Sequence, residues 1–153
     1  MTSPAKIAVA CDHRGFELKS KITDFLKQKH YDVIDCGTHS EESMDYPDTI
    51  FAAAQKVGSG DCPRAIGICY TGIGSAIAAN KVRGVRAALV HTPKEAELSR
   101  AHNDANMLVL GAGFVEAKNL FPILETWLNT PFEGGRHERR VGKIKDYEQK
   151  HAC

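Results

Sequence analysis

Short, β-rich apolar runs alternate with longer amphipathic stretches along the chain, and this alternation constrains the fold more than any other feature. It is typical of βα units around a parallel sheet that is covered on both faces. The predicted strands are residues 7–11, 33–35, 65–69, 87–90 and 107–110. The predicted helices cover approximately residues 16–29, 47–57, 75–82, 93–101 and 116–128, and a charged helix over about 136–150 follows. The sequence therefore predicts an α/β fold with a five-stranded parallel sheet and an appended C-terminal helix.

Length and charge limit the classes of protein to which the chain can belong. Its 153 residues and 42% hydrophobic content suffice for a single domain, 1–153, with one core. Lys and Arg number 20 against 19 Asp and Glu, and the net charge of +1 gives no general attraction for nucleic acid or an anionic membrane. No apolar segment approaches the ~20 residues that span a bilayer.

The five cysteines, at positions 11, 36, 62, 69 and 153, indicate a reducing compartment. Their number is odd and they form no Cys-x-x-Cys pair, which argues against both a disulfide framework and a structural zinc site. We therefore expect a cytoplasmic protein with no nucleic-acid or membrane partner.

Polar residues follow the first predicted strand, where a parallel sheet exposes the carboxyl ends of its strands to ligands. Asp12, His13 and Arg14 stand there, just before the first helix. The ordinary interpretation is that Asp12 caps that helix and that His13 and Arg14 are solvated turn residues. The alternative is that they contact a ligand.

A glycine-rich turn follows the third predicted strand and leads into a helix: Tyr70, Thr71, Gly72, Ile73 and Gly74. Such a turn directs backbone N–H groups at one point and can bind a phosphate or a developing oxyanion. It lacks the lysine of a P-loop, and the third glycine of a dinucleotide fingerprint is replaced by Ile77. Both nucleotide interpretations are therefore disfavoured.

Cys69 ends the third strand directly before this turn, a location that is expected to lower the pKa of a thiol. The alternative, a buried structural cysteine, is common and is the interpretation we give to Cys11 and Cys36. A phosphocysteine loop would need an arginine six positions after Cys69, where this chain has Ser75. We therefore interpret Cys69 as a candidate base.

Two further groups of polar residues come later in the chain. His102 and Asn103 lie in a polar string that could simply form turns, although His102 could also act as an acid near neutral pH. Arg136 and Arg140 are four residues apart and could hold a phosphate dianion, although charged helices are usually solvated faces. The histidines and carboxylates show no recognised metal-ligand spacing, and we predict no metal.

Together these residues match the requirements of aldose–ketose isomerisation. That reaction moves a proton between adjacent carbons through a cis-enediolate and needs a base, an oxyanion cradle, an acid that opens the sugar ring and a clamp for phosphate. One candidate for each is present: Cys69, the turn at 70–74, His102 and the arginine pair. The reaction requires no cofactor.

The sequence resembles the family of the type B ribose-5-phosphate isomerases, which includes galactose-6-phosphate and allose-6-phosphate isomerases. The matching stretches cover nearly the whole chain in the expected order: 11–16, 35–38, 45–47, 69–74, 78–81, 86–87, 99–104 and 133–137. The resemblance implies a Rossmann-like three-layer α/β/α sandwich and a homodimer, sometimes paired into tetramers. It also implies active sites at the subunit interface, with the C-terminal helix packed on the partner.

The same resemblance implies roles for particular residues. Cys69 would be the proton acceptor, with Thr71 beside it in the catalytic set, and His102 the ring-opening donor. The implied sugar and phosphate contacts are Asp12, His13, Tyr70, Thr71, Gly72, Ile73, Gly74, Asn103, Arg136 and Arg140. Some members use a glutamate at the position of Ser75 instead of the cysteine. Many carry a phosphate-binding arginine at the position of Gly113, and Arg14 and Arg139 are the candidates to replace it here.

The resulting hypothesis is interconversion of D-ribose 5-phosphate and D-ribulose 5-phosphate in the non-oxidative pentose phosphate pathway. Within the same class of enzyme, the alternative is another aldose phosphate such as allose 6-phosphate or galactose 6-phosphate. Outside it, the alternative is a non-catalytic module that binds a phosphosugar.

Overall fold

The computed structural model describes residues 2–151. Its strands are β1 (Lys6–Cys11), β2 (Asp32–Asp35), β3 (Arg64–Cys69), β4 (Ala87–Leu89) and β5 (Met107–Gly111). Its α-helices are α1 (Phe16–Gln28), α2 (Tyr46–Gly58), α3 (Ile73–Ala79), α4 (Pro93–Ala101), α5 (Ala117–Asn129) and α6 (Arg136–His151). A single 3₁₀ turn, His13–Gly15, joins β1 to α1.

The five strands form one parallel sheet in the order β2-β1-β3-β5-β4, which confirms the predicted fold class. Helices cover both faces of the sheet, so the three-layer prediction is also confirmed. The sheet is doubly wound, because the chain moves outward from β1 in one direction and from β3 in the other. A topological switch point therefore lies between β1 and β3, which is where such sheets bind ligands.

The two faces of the sheet differ in the size of the residues they bury. One face presents large side chains such as Ile66 and Leu108 to α1 and α5. The other presents mainly small residues, such as Ala8 and Ala10, to α2 and α3. A Cβ atom added to Gly67 would lie 2.9 Å from a side-chain atom of Ile50, so the close approach of α2 depends on the small face.

The clearest error in the predicted boundaries concerns α3, which spans Ile73–Ala79 rather than 75–82. The helix ends early because the Asn80 side chain donates hydrogen bonds to the carbonyls of Ala76 and Ala87, at 3.0 and 2.9 Å. These bonds tie the end of α3 to the start of β4. The other boundaries agree to within one or two residues, which is ordinary variation at element ends.

The appended helix α6 is present and largely exposed, with only His137 and Val141 buried. Glu148 accepts hydrogen bonds from the Gly84 N–H at 3.0 and 3.1 Å, which holds the far end of α6 against the rest of the chain. Within residues 2–151, no helix has the length and apolar character to cross a membrane.

Candidate active site

The carboxyl ends of β1 and β3 bring the first two groups of predicted residues together. The Asp12 N–H donates to the carbonyl of Ile68 at 3.2 Å, so the turn after β1 lies directly beside the turn after β3. Asp12 and His13 are therefore neighbours of Cys69 and the loop 70–74, at the switch point of the sheet.

Cys69 is the last residue of β3 and is almost fully buried, with 4% of its surface exposed. Its Sγ atom accepts a hydrogen bond from the backbone N–H of Gly72 at 3.2 Å. The turn therefore holds the sulfur in a fixed position beside a backbone N–H donor.

The glycine-rich loop is held by close backbone contacts that exclude larger residues. Gly72 has a φ of +78°, and a Cβ atom there would lie 2.4 Å from Leu89 Cδ1 and 3.1 Å from the backbone nitrogen of Gly111. The loop also rests on the end of β5, because Ala112 N–H donates to Cys69 and Gly113 N–H donates to Tyr70, at 2.8 and 2.9 Å. Of the first N–H groups of α3, that of Ile73 donates to Thr71 Oγ1 at 3.1 Å, and those of Gly74 and Ser75 have no partner inside the helix.

Replacing Gly72 with alanine is expected to lower the free energy of unfolding by about 2–5 kcal/mol and to remove most of the activity, because a left-handed backbone and a steric clash act together. Gly60→Ala is the matched control. Gly60 has a φ of +85°, but within residues 2–151 no atom lies within 4 Å of an added Cβ. It should lose only about 1–2 kcal/mol. Equal losses in urea unfolding of the two variants would contradict the steric argument.

The turn after β1 confirms the capping role of Asp12. Its Oδ1 atom accepts hydrogen bonds from the N–H groups of Arg14 and Gly15 at 3.0 and 3.1 Å. His13 Nδ1 accepts from the Met44 N–H at 3.2 Å, so in the neutral ring the proton lies on Nε2. The second carboxylate oxygen of Asp12 and the Nε2–H of His13 remain to contact a ligand.

The other described cysteines differ from Cys69 in their environment. Burial raises the pKa of Cys11 to about 11, and Cys11 lies wholly inside the core. Burial also raises the pKa of Cys36 and of Cys62. These three thiols are therefore protonated near neutral pH, in agreement with the structural interpretation of Cys11 and Cys36.

Two aromatic side chains, Tyr70 and Tyr46, border the loop. Tyr70 was predicted as a substrate contact, but its packing on Arg14 was not, and Tyr46 was not predicted as a contact. The guanidinium of Arg14 lies 4.1 Å from the centroid of the Tyr70 ring, and the same ring fills the space above Gly113. The Tyr46 ring lies against Gly74, where a Cβ atom would be 2.4 Å from its Cζ. The signal for Tyr46 was its position in the matching stretch 45–47.

The remaining predicted residues lie at the opposite edge of the sheet. His102 caps the C-terminal end of α4, and Asn103 follows it. This segment lies where the strands begin, because Asn106 bonds to Arg86 before β4 and to Ala65 at the start of β3. Glu133 N–H donates to the Ala101 carbonyl at 3.0 Å, which brings the start of α6, with exposed Arg136 and Arg140, to the same edge.

Within one chain, the predicted base and the predicted acid are therefore far apart. The six residues of β3 separate the two edges of the sheet by about 17 Å. Within one chain the structure does not bring the thiol, the imidazole and the arginines together, so their convergence at a subunit interface stays a prediction. It can be met only where the carboxyl edge of one copy faces the amino edge of another.

The fold and the site together define a class of protein. It is an α/β protein with a thiol and backbone N–H donors at its switch point, an arrangement suited to proton transfer on an anionic substrate. The family model described as Ribose/Galactose Isomerase matches residues 7–144. The chain belongs to this family, which confirms the resemblance found in the sequence.

Relatives and solved structures agree over nearly the whole length. The ribose-5-phosphate isomerase B of Escherichia coli is 44% identical over 145 residues, 95% of this chain and 97% of that protein. The structure of the Clostridium thermocellum ribose-5-phosphate isomerase B has a TM-score of 0.93 at 51% identity, covering 96% of this chain and 99% of that one. The Mycoplasma genitalium enzyme, solved with bound ribulose-5-phosphate, has a TM-score of 0.92 at 43% identity, covering 97% and 99%.

Proposed function

We propose that this chain interconverts D-ribose 5-phosphate and D-ribulose 5-phosphate, the substrate pair indicated by its similarity to the enzymes above. The observation that carries the proposal is the position of Cys69 Sγ, 3.2 Å from the Gly72 N–H and between the turns that follow β1 and β3. A thiolate fixed beside an N–H cradle is what an enediolate mechanism requires.

The proton transfer follows from this arrangement. The Cys69 thiolate removes the proton from C2 of the open-chain aldose, and the electrons of that bond form the C1–C2 double bond while O1 becomes an enediolate oxygen. The N–H groups of the loop 70–74 stabilise this oxygen, with the Thr71 hydroxyl beside them. The hydroxyl proton of O2 then passes to O1, the thiol returns the carbon-bound proton to C1, and the ketose carbonyl forms at C2.

Ring opening and phosphate binding require a second copy of the chain. In a homodimer, the second copy's His102 would donate a proton to the ring oxygen, and its Arg136 and Arg140 would hold the phosphate dianion. Asp12 and His13 of the first copy and Asn103 of the second would hold the sugar hydroxyls. The separation of these groups within one chain supports this assembly.

An exposed apolar surface also supports a homodimer. Ile73 and Ile77 on α3 are 57% and 59% exposed, and Ile144 and Tyr147 on α6 are 55% and 67% exposed. Ile77 and the α6 pair border the end of α3 at Asn80, and Ile73 lies one turn before Ile77 on the same face of α3, so the four residues form a continuous surface. Burying each isoleucine would contribute about 1.5–3 kcal/mol. The dimer interface proposed here runs along α3 and α6.

Arg14 is the proposed replacement for the arginine that many relatives carry at the position of Gly113. It lies on the face of the Tyr70 ring, next to Gly113, at the edge of the sheet that carries Cys69. Arg14→Ala is expected to raise the KM for ribose 5-phosphate roughly tenfold with little change in kcat, because a charge-assisted bond to phosphate is lost. Arg139→Ala, on exposed α6, is the control. If Arg139→Ala alone raised KM, Arg139 would be the replacement.

The function is tested by measuring ribulose 5-phosphate formation by the purified protein in the presence of a metal chelator. Robust turnover would support the proposal, together with its prediction that no metal or cofactor is needed. Turnover of allose 6-phosphate or galactose 6-phosphate, with none of ribose 5-phosphate, would leave the reaction class intact and overturn the substrate.

Alkylation of Cys69 distinguishes the proposed enzyme from a non-catalytic binding module. Peptide mapping then separates the modification of Cys69 from that of Cys153, which lies outside the described residues. Fast alkylation that sugar phosphates block supports the enzyme, and slow alkylation that they leave unchanged supports the module. The four described cysteines are free, which supports a reducing cytoplasm as the place of action.

A further inference from the structure

At the amino edge of the sheet, the side chains of His102, Glu133 and His137 form a compact cluster. Each offers one donor atom, and the three atoms lie within 4.8 Å of one another. Glu133 Oε2 is 3.5 Å from His137 Nε2 and 4.0 Å from His102 Nε2. Spacing along the chain conceals this set, because His102 caps the end of α4 whereas Glu133 precedes α6 and His137 lies in its first turn.

His137 gives this cluster an unpartnered donor. It is only 6% exposed, and its Nε2 atom has no hydrogen-bond partner among the residues that the structure describes. A buried polar atom without a partner is unfavourable, so a ligand that pairs with it is favoured.

We propose that His102, Glu133 and His137 bind one divalent transition-metal ion, best fitted by Zn²⁺, and that this ion inhibits the isomerase by taking the imidazole of His102. Two histidines and one glutamate are a ligand set that zinc accepts, with solvent at the fourth position. The inhibition rests on the proposed function, in which His102 opens the sugar ring. The binding of the metal ion does not depend on that function.

The geometry requires only a modest adjustment. Zinc ligands lie about 2.0–2.2 Å from the ion and hence roughly 3.3 Å from one another, slightly closer than the separations in this cluster. The two rings are stacked, with centroids 4.1 Å apart and planes 9° from parallel, so they must tilt for both lone pairs to meet one ion. The side chains of His102 and Glu133 are 35% and 58% exposed, which leaves both room to move and gives the ion a path from solvent.

Two nearby charges oppose a cation. Arg136, next to His137, and Arg140, one turn later on α6, would repel Zn²⁺, whereas Glu133 attracts it. Both arginines are exposed, so water and salt screen their repulsion. Bound phosphate would neutralise them.

Binding is tested with Zn²⁺ by calorimetry and with Co²⁺ by absorption, using the full-length chain in a Cys69→Ala background. That background removes the thiol of the proposed active site, which could compete for the metal. We expect one ion per chain and Co²⁺ d–d bands without thiolate charge-transfer bands. Glu133→Ala and His137→Gln should each weaken binding by at least about tenfold, the loss caused by removing even an outer partner of a metal ligand.

The control is His91→Gln, since His91 Nδ1 also lies 3.5 Å from a carboxylate, that of Glu95, but has no second histidine. It should leave binding unchanged. Inhibition is then measured in chains that retain Cys69. The rate of each variant with zinc is compared with the rate of the same variant in chelator. Zinc should inhibit the wild type and the His91→Gln variant more strongly than the Glu133→Ala variant.

Undiminished metal binding in both Glu133→Ala and His137→Gln, or thiolate bands in the Co²⁺ spectrum, would overturn the site. Binding at the site without inhibition would overturn the inhibitory role alone. An inactive wild type would overturn the proposed function and leave the binding result standing.

Discussion

Replacing Cys69 with alanine is expected to lower kcat for ribose 5-phosphate by about 10²–10⁴-fold, the contribution of a positioned general base. Burial raises the pKa of Cys11, Cys36 and Cys62, so none of these thiols can take over the role. Cys69→Ser should lose almost as much activity, because a hydroxyl is a far weaker acid than a thiol. The measurement is the initial rate of ribulose 5-phosphate formation at saturating substrate.

Folding must be separated from chemistry in this comparison. Cys69→Ala leaves the Gly72 N–H without its acceptor, whereas Cys69→Ser retains an atom that can accept the bond. The serine variant should therefore unfold at a higher temperature than the alanine variant although both are inactive. Cys36→Ser, which changes a half-buried thiol away from the loop, should keep its activity. An alanine variant with more than about a tenth of the wild-type kcat would exclude Cys69 as the base.

The fold class could be predicted because the chain's periodicity follows directly from burial on both faces of the sheet. Alternate residues of β1 and β3 point into two separate cores, and helices with one apolar face cover each. The end of α3 was missed because it depends on the Asn80 side chain, which bonds to a residue of β4 rather than to its own neighbours alone. Such a contact cannot be seen in a local pattern.

Strand order was not predicted, and the reason is energetic. The fifth strand, not the fourth, lies beside β3, so the last two strands are exchanged relative to the order along the chain. All five residues of β5 are buried, whereas the three residues of β4 are only partly buried. An interior place favours the more apolar strand, and the short β4 is suited to the edge. The difference in apolar character between β4 and β5 is present in the sequence. It decides the strand order only once the positions of the other strands are known.

The carboxyl-edge half of the candidate site was predicted better than the amino-edge half. Asp12, His13 and the loop after Cys69 follow strands, and a parallel sheet brings such residues together in any arrangement. His102 and the arginines follow helices instead, so their location depends on how the ends of α4 and α6 pack. Whether they meet Cys69 depends on a second copy, and no pattern within one chain specifies its placement.

Two inactive variants are expected to restore activity to each other when they share a dimer. One is Cys69→Ala, and the other carries Arg136→Ala and Arg140→Ala. Since the base and the phosphate clamp of each proposed site come from different copies, a mixed dimer contains one site with both defects and one with none. Random pairing makes about half of the dimers mixed, so the mixture should show about a quarter of the wild-type specific activity.

Co-expression of the two variants with different affinity tags, followed by selection for both tags, sharpens the result, because the purified mixed dimer should reach about half of the wild-type activity. Co-expressed Cys69→Ala and Gly72→Ala provide the control: both changes lie at the carboxyl edge, so no site in their mixed dimer is intact. If the first pair stayed inactive although both tags were recovered together, the copies would associate without sharing their sites, and His102 and the arginine pair would have to act on some other ligand. The distance between the two edges of the sheet makes that outcome incompatible with any isomerase mechanism that uses Cys69 and His102 together.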